Sequence, residues 1–378
     1  MKLVHIITGL KRGGAENVLY RLLAHQDQNE WPSTVVSLTS GGVMAEKIEA
    51  LGIRVHSLDM RPGWPSFMAL VRLTRMLHRL QPDAVQTWMY HANLLGGLAA
   101  RLAGIRRVFW GLRHTTMDPE VDKLTTIWVA HLGGWLSGLI PYRIICCSKA
   151  TWKTHLDAGY CRERMVIIPN GYNLEQYRPD PEARSHFMTM LDLPGQIALV
   201  GMAARYHPQK DHATFLSAAA QLLQEGLDAE FLLCGSGVEN GNATLTRMIT
   251  EQGLQGKVHL LGERSDMTAF FSALDVATLS SSHGEGFPNV VAEAMACGAL
   301  VVSTDVGDAA EMIGDAGWVV PPSDATALAS TWKKALSLSP TLRKEVGDRA
   351  RKRVRSNYSL SSMVAAYEME YQGRLAAH

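Results

Sequence analysis

No stretch of the sequence stays apolar for the roughly 20 residues that a membrane-crossing helix needs, so an integral span is not expected. Five cysteines, an odd number, include no C-x-x-C pair: Cys146, Cys147, Cys161, Cys234 and Cys297. That removes the usual zinc and thiol-redox motifs. Several sit in apolar strand-like runs, where a cysteine behaves as a small hydrophobe, and the usage fits a reducing cytoplasm. Glycines are plentiful but never spaced G-x-G-x-x-G, so the dinucleotide fingerprint is missing and a dehydrogenase is disfavoured. Net charge is only +1, with 47% hydrophobic and 19% charged residues, which fits a soluble globular chain rather than a disordered one. The opening "MKLVHIITGLKRGG" puts a short apolar run before its basic residues and glycines. A secretory leader has the opposite order, so this stretch reads as a buried first strand.

The small net charge hides an uneven distribution. Residues 1–170 hold 20 Lys and Arg against 12 Asp and Glu, whereas residues 171–378 hold 17 against 24. A basic first half suits an anionic partner, a phospholipid surface or a phosphorylated acceptor. Attraction between the two halves across a cleft is the alternative.

At 378 residues, two domains are expected. Strand-like runs "KLVHIITG", "STVVSL", "IRVHSL", "DAVQTW", "RRVFWGL" and "YRIICCS" alternate with amphipathic stretches such as "AENVLYRLLAHQ". This is βαβ patterning, hence a parallel sheet covered on both faces. Residues 166–183, "VIIPNGYNLEQYRPDPEA", are rich in Pro, Asn and Asp and read as a linker. The pattern then restarts with "IALVGMAA", "AEFLLCG", "KVHLLG", "DVATLSS", "ALVVSTD" and "GWVVPPS". The predicted fold is α/β, two doubly wound Rossmann-like domains over 1–175 and 190–355. A C-terminal helix at 356–378 can cross back to the first. Such sheets bind ligands beyond the carboxyl ends of their strands, so a cleft between the domains is the expected site.

Four loops carry candidate chemistry. Gly13 and Gly14 stand between the first strand and a helix, where backbone amides can approach an anion; a plain βα turn is the alternative. Arg205 and Lys210, in "GMAARYHPQKDHATFL", can hold a diphosphate, one as a planar fork and the other as a point charge, or can simply be solvated. Gly235, in "LLCGSGVENG", marks a tight turn after a strand. In "DVATLSSSHGEGFPNVVAEAMACGALVVST", Phe287-Pro288-Asn289 starts a helix, with proline where a first-turn proline is tolerated. Glu285 lies in the loop before it and Glu293 more than a turn inside. A carboxylate among apolar neighbours needs hydrogen-bond partners, and ligand hydroxyls would supply them. An exposed position for Glu293 is the alternative.

Glu285 and Glu293, with seven residues between them, inside "EGFPNVVAEAMACGALVVST", resemble the family 4 retaining glycosyltransferases of the GT-B fold. "GLKRGGAE", "IIPNGYNLEQY" and "ARYHPQKDH" add to the likeness in the family's order, over residues 1 to about 320. The resemblance implies transfer of a sugar from a UDP- or GDP-linked donor, with retention at the anomeric carbon and neither metal nor cofactor. Glu293 would accept from the ribose hydroxyls and Glu285 would touch the donor sugar. The backbone around Gly286, Phe287, Pro288 and Asn289 would surround sugar and phosphate. Arg205 and Lys210 would neutralise the leaving diphosphate, Gly13 and Gly14 would cap the phosphate, and His114 in "GLRHTT" would lie near the transferred sugar. The chain departs from the family in "DAVQTWMYHAN", with Gln86-Thr87-Trp88 where many relatives have His-x-His. This leaves His91 and Arg113 as acceptor-side candidates. A nucleotide-sugar epimerase of the same fold and a non-catalytic nucleotide-sugar-binding protein are the other readings.

Residues 125–142, "TTIWVAHLGGWLSGLIPY", hold two tryptophans and no Asp, Glu, Lys or Arg, and Trp64 and Phe67 lie in a second apolar patch. Alone, 125–142 reads as a core helix; beside a basic half it reads as a surface for an anionic membrane. With a glycan or lipid-linked acceptor, this implies a cytoplasmic protein peripheral on the inner membrane face. The run "RKEVGDRARKRVR" is expected to be a solvated helix face and not a nucleic-acid patch.

Overall fold

The computed structural model describes residues 1–11, 13–60, 67–115 and 123–373; Trp64 lies outside them. The chain forms two compact units, one of Met1–Gly171 with the residues from Leu360 onward, the other of Tyr172–Ser359.

The first unit alternates β1 (Leu3–Ile7), α1 (Gly14–His25), β2 (Ser33–Ser37), α2 (Val43–Glu49), β3 (Arg54–Ser57), α3 (Phe67–Leu80), β4 (Ala84–Trp88), α4 (Tyr90–Leu102), β5 (Val108–Leu112), α5 (Leu124–Leu136), β6 (Arg143–Cys146), α6 (Lys149–Asp157) and β7 (Met165–Ile167). Its strands make a parallel sheet in the order β3-β2-β1-β4-β5-β6-β7. Strands β1, β4 and β5 are buried along their whole length, as expected where helices cover both faces. The order reverses between β1 and β4, the point beyond whose carboxyl ends sheets of this kind bind their ligands.

The second unit runs α7 (Ala183–Met190), β8 (Ala198–Ala203), α8 (His212–Gln224), β9 (Ala229–Cys234), α9 (Ala243–Glu251), β10 (Val258–Leu260), α10 (Met267–Ala273), β11 (Val276–Leu279), α11 (Asn289–Ala296), β12 (Leu300–Thr304), α12 (Ala309–Ile313), β13 (Trp318–Val320), α13 (Ala325–Leu336) and α14 (Pro340–Asn357). Its parallel sheet has the order β10-β9-β8-β11-β12-β13, reversing between β8 and β11. Its two ends meet, because Tyr172 N–H donates to the Tyr358 carbonyl at 2.9 Å. Helix α15 (Leu360–Gln372) then returns to the first unit, where it packs on α1 and puts Leu360, Met363, Val364, Tyr367 and Tyr371 into the core.

Three sequence expectations need correction. The segment expected to be a linker begins as a strand, since β7 pairs with β6 through Val166 opposite Ile145. The basic run of α14 is not simply solvated: Arg351 donates to the carbonyls of Tyr177, Leu174 and Ala296, and Arg353 to those of Met312 and Glu311. Helix α5 is not a core helix, because one face is buried through Ala130, Gly133 and Gly134 while Trp128 and Trp135 point outward.

Candidate active site

In the second unit the candidate residues gather at the strand ends where the sheet order reverses. Residues beyond β8 form a loop that ends in a short 3-10 turn, Pro208–Lys210. Asp211 follows at φ +48, and its side chain caps α8 by accepting from Thr214 N–H at 3.0 Å. Beyond β11 lies the loop holding Ser280, Ser281, Ser282 and Glu285. The two loops are tied together. Ser280 Oγ donates to the Lys210 carbonyl at 2.9 Å, and Ser282 N–H to the Gln209 carbonyl at 2.9 Å.

The ties bring Lys210 and Glu285, 75 positions apart in sequence, into an ion pair between Nζ and Oε1. Ser281 Oγ donates to the same Oε1 at 2.7 Å. Glu285 is buried, so its charge is held by these partners rather than by water. Arg205 extends from the β8 end into solvent. His207 sits among cations: burial and the charges of Arg205, Lys210 and His283 hold its imidazole below the usual value.

Glu293 lies on the second turn of α11 and is buried, which disposes of the exposed alternative. The helix starts at Asn289 with Pro288 before it and no side-chain cap, so its first amides are left to other acceptors. Phe287 is fixed by aromatic packing, stacked on Tyr172 at 6.5 Å and edge-on to Tyr358 at 5.3 Å. Tyr172 OH also donates to Asn289 Oδ1 at 2.6 Å. Two glycines let the loops close. At Gly307, φ is +58 and a Cβ would overlap the Glu285 carbonyl oxygen. At Gly235, φ is +141 and a Cβ would overlap the Ala204 carbonyl, so glycine lets the β9 loop lie against the Arg205 loop. Gly286 joins this network through its carbonyl, which accepts from Asp308 N–H at 3.3 Å.

The first unit places a second group of candidates at its own strand ends. Gly13 is the extended N-cap of α1, which begins at Gly14 without a side-chain cap. Met89 holds φ +74 between β4 and α4, a strained setting at the start of the helix that carries Tyr90 and His91 in its first turn. Burial holds the His91 imidazole below its usual value. His114 follows β5, edge-on to the Tyr90 ring at 6.5 Å. Tyr90 OH lies 2.8 Å from His155 Nε2. Arg113 turns the other way: its guanidinium donates to Asn170 Oδ1 and Tyr367 OH and lies 4.9 Å from the Trp88 ring centre. In the described structure Arg113 thus clamps β5 to α15.

Sequence reasoning missed Ser281, Gly307 and Tyr172. A serine run before "GEGFPN", a glycine after β12 and the tyrosine of "IIPNGYNLEQY" were the local signals. Among the described residues, no group of three or more His, Cys, Asp or Glu side chains is placed to hold a metal ion.

Residues 12–176 match the model of Glycosyltransferase Family 4 and residues 197–337 that of Glycosyl transferases group 1. The chain belongs to the family 4 glycosyltransferases. Among similar members, the lipopolysaccharide core biosynthesis mannosyltransferase LpcC of Rhizobium leguminosarum bv. viciae is 29% identical, over 86% of this chain and 89% of its own length. The UDP-Gal:alpha-D-GlcNAc-diphosphoundecaprenol alpha-1,3-galactosyltransferase of Escherichia coli is 27% identical, over 63% of this chain and 62% of its own. The fold of Anabaena HepE, solved in complex with UDP and glucose, superposes with a TM-score of 0.86 at 21% identity, over 99% of this chain and 100% of that one. The architecture of this glycosyltransferase is therefore GT-B, with two Rossmann-like parallel-sheet units.

Proposed function

We propose that this glycosyltransferase moves a sugar, with retention, from a UDP- or GDP-linked donor to a hydroxyl of a glycan or lipid-linked acceptor. The observation that carries the reading is the Lys210–Glu285–Ser281 cluster at the reversal point of the second sheet, beside α11 and Glu293. Glu293 accepts from ribose hydroxyls, and Glu285 from hydroxyls of the donor sugar. The diphosphate draws the Lys210 ammonium from Glu285, and Arg205 adds its fork, so two cations stabilise the charge that develops on the leaving group. Backbone groups from Gly286 to Asn289, with Gly235 behind them, shape the pocket around sugar and phosphate. In the first unit, Gly13 and Gly14 meet phosphate, His114 lies by the transferred sugar and His91 belongs to the acceptor side, whereas Arg113 is engaged by Asn170 and Tyr367 and serves structure.

Retention has support in the α-1,3 linkage named for the Escherichia coli relative, the outcome expected when an α-linked nucleotide sugar transfers without inversion. A diphosphoundecaprenol-linked acceptor is named for the Escherichia coli relative, and lipopolysaccharide core biosynthesis for the Rhizobium one. No described helix is long and apolar enough to cross a membrane. In this reading the contact with such an acceptor is peripheral, on the cytoplasmic face of the membrane.

A thermal-shift screen of UDP, GDP and their sugars tests the donor site. One nucleotide should raise the melting temperature, and Glu293→Ala should abolish the rise. No stabilisation by any nucleotide sugar would overturn the reading. With the donor known, Lys210→Ala should cut kcat at least about 100-fold, the scale for one lost oxyanion contact, and change nucleotide affinity far less. Equal losses in both would remove the transition-state role. Turnover should survive EDTA.

A further inference from the structure

Helices α3, α4 and α5 form one layer on the first sheet. Helix α4 packs against both others, and Leu73, Leu77, Ala99 and Ala130 anchor the layer in a shared core. None of the three helices contains Asp or Glu. The outer surface of α3 carries Arg72, Arg75, His78 and Arg79, all exposed, with Phe67 and Met68 exposed at its start.

On α5, Leu124, Trp128, Leu132 and Trp135 recur every three or four residues and so share one stripe. Trp128 is 76% exposed and Trp135 87%. The opposite side of α5 fixes this orientation. A Cβ on Gly133 would come 2.7 Å from Tyr160 OH, and one on Gly134 2.8 Å from the Ala158 carbonyl. Tyr160 OH also donates to the Ala130 carbonyl at 2.8 Å. The glycine side alone can pack this closely, so the tryptophans are held outward. Between the last turns of α3 and the end of α4 lies a cavity of about 240 Å³, lined by Thr74, Arg75, His78, Arg79, Leu102 and Ala103.

We propose that this layer docks on an anionic lipid bilayer. The α5 stripe enters the boundary between head groups and acyl chains, and a lipid phosphate sits in the groove between Arg75 and Arg79. Charge complementarity selects the occupant. Exposed arginines without a carboxylate on the same helices match a surface of negative potential, and outward tryptophans match the interfacial belt. The proposal rests on the reading of the chain as a transferase for membrane-borne acceptors and adds which face meets the membrane.

Flotation with vesicles of phosphatidylglycerol and phosphatidylcholine, against phosphatidylcholine alone, tests it on the full-length protein. The wild-type protein should float with the anionic vesicles and be released by salt. Trp128→Ala/Trp135→Ala and Arg75→Gln/Arg79→Gln should each lower partitioning about tenfold or more. Their melting temperatures and stabilisation by the preferred nucleotide should be unchanged, since these side chains are exposed. If both double variants float like the wild type, the face is wrong while membrane association stands. If the wild type binds no vesicle yet is stabilised by a nucleotide sugar, docking falls and the transferase reading survives. A dimer in sedimentation that Trp128→Ala/Trp135→Ala dissolves would make the stripe a self-association surface and overturn the proposal.

Discussion

His155 is buried with both ring nitrogens engaged. Nδ1 lies 2.7 Å from the Thr151 carbonyl, which can only accept, so Nδ1 carries the proton and Nε2 accepts from Tyr90 OH at 2.8 Å. Burial holds this imidazole down to about 4, that of His212 also to about 4 and that of His5 to about 3, against an ordinary 6.5. The unfolded chain therefore takes up protons on these groups below pH 6.5 while the native state stays neutral. Their stability is fully present above that pH and is lost as the pH falls toward 4. At pH 5 the loss is on the order of 2 kcal/mol for a group shifted like His155. Melting temperature should drop steadily between pH 7 and 5, and His155→Gln should flatten part of that slope; an unchanged slope would remove His155 from the account. Glu285 and Glu293 separate by a different readout. Glu293→Ala should mainly weaken nucleotide binding in calorimetry, whereas Glu285→Ala should mainly lower kcat, because Glu285 is the carboxylate that pairs with Lys210 Nζ. That cluster was not legible in the sequence. Both loops stood out by composition, but the pairing of positions 210 and 285 depends on which strands neighbour each other. The same holds for Arg113, whose partners Asn170 and Tyr367 lie 57 and 254 positions away.

At the scale of elements, local chemistry was more legible. The apolar strand runs became strands, and "FPN" started α11 where its proline allows. What escaped was the environment of each element. The Pro- and Asn-rich segment after Met165 hides a short edge strand, because β7 needs only β6 for pairing. The arginines of α14 look solvated in sequence, yet their targets are carbonyls on separate elements. The same distinction separates two glycines. Gly307 and Gly226 both have positive φ, but a Cβ at Gly226 meets nothing within 4 Å, while one at Gly307 strikes the Glu285 backbone. Gly226→Ala should cost about 1 kcal/mol of stability and leave turnover intact. Gly307→Ala should displace the Glu285 loop, abolish most nucleotide-induced stabilisation and lower kcat/KM at least about tenfold, the factor that 1.4 kcal/mol of misplacement gives. Equal activity in the two variants would show that the close approach at Gly307 does not position Glu285.

At the scale of the molecule, the first unit is discontinuous in sequence and the second is not. Helix α15 contributes Leu360, Met363, Val364, Tyr367 and Tyr371 to a core shared with β1, α1 and β4. Burying each such side chain contributes roughly 1.5–3 kcal/mol, so together they rival the about 5–15 kcal/mol that holds a whole domain. Tyr371 also packs edge-on to Phe109 at 5.1 Å, and Arg107 donates to its carbonyl at 3.1 Å. The second unit closes on itself where Tyr172 meets Tyr358, and it has its own core around Phe215, Phe231 and Trp332. Residues 172–359 expressed alone should therefore unfold cooperatively and be stabilised by the same nucleotide as the full chain. Residues 1–171 alone should not give dispersed amide resonances. Adding residues 360–378 as a separate peptide should restore them, because α15 supplies core side chains that the rest of the unit lacks. A well-dispersed spectrum from 1–171 alone would mean that α15 decorates the first unit rather than completing it.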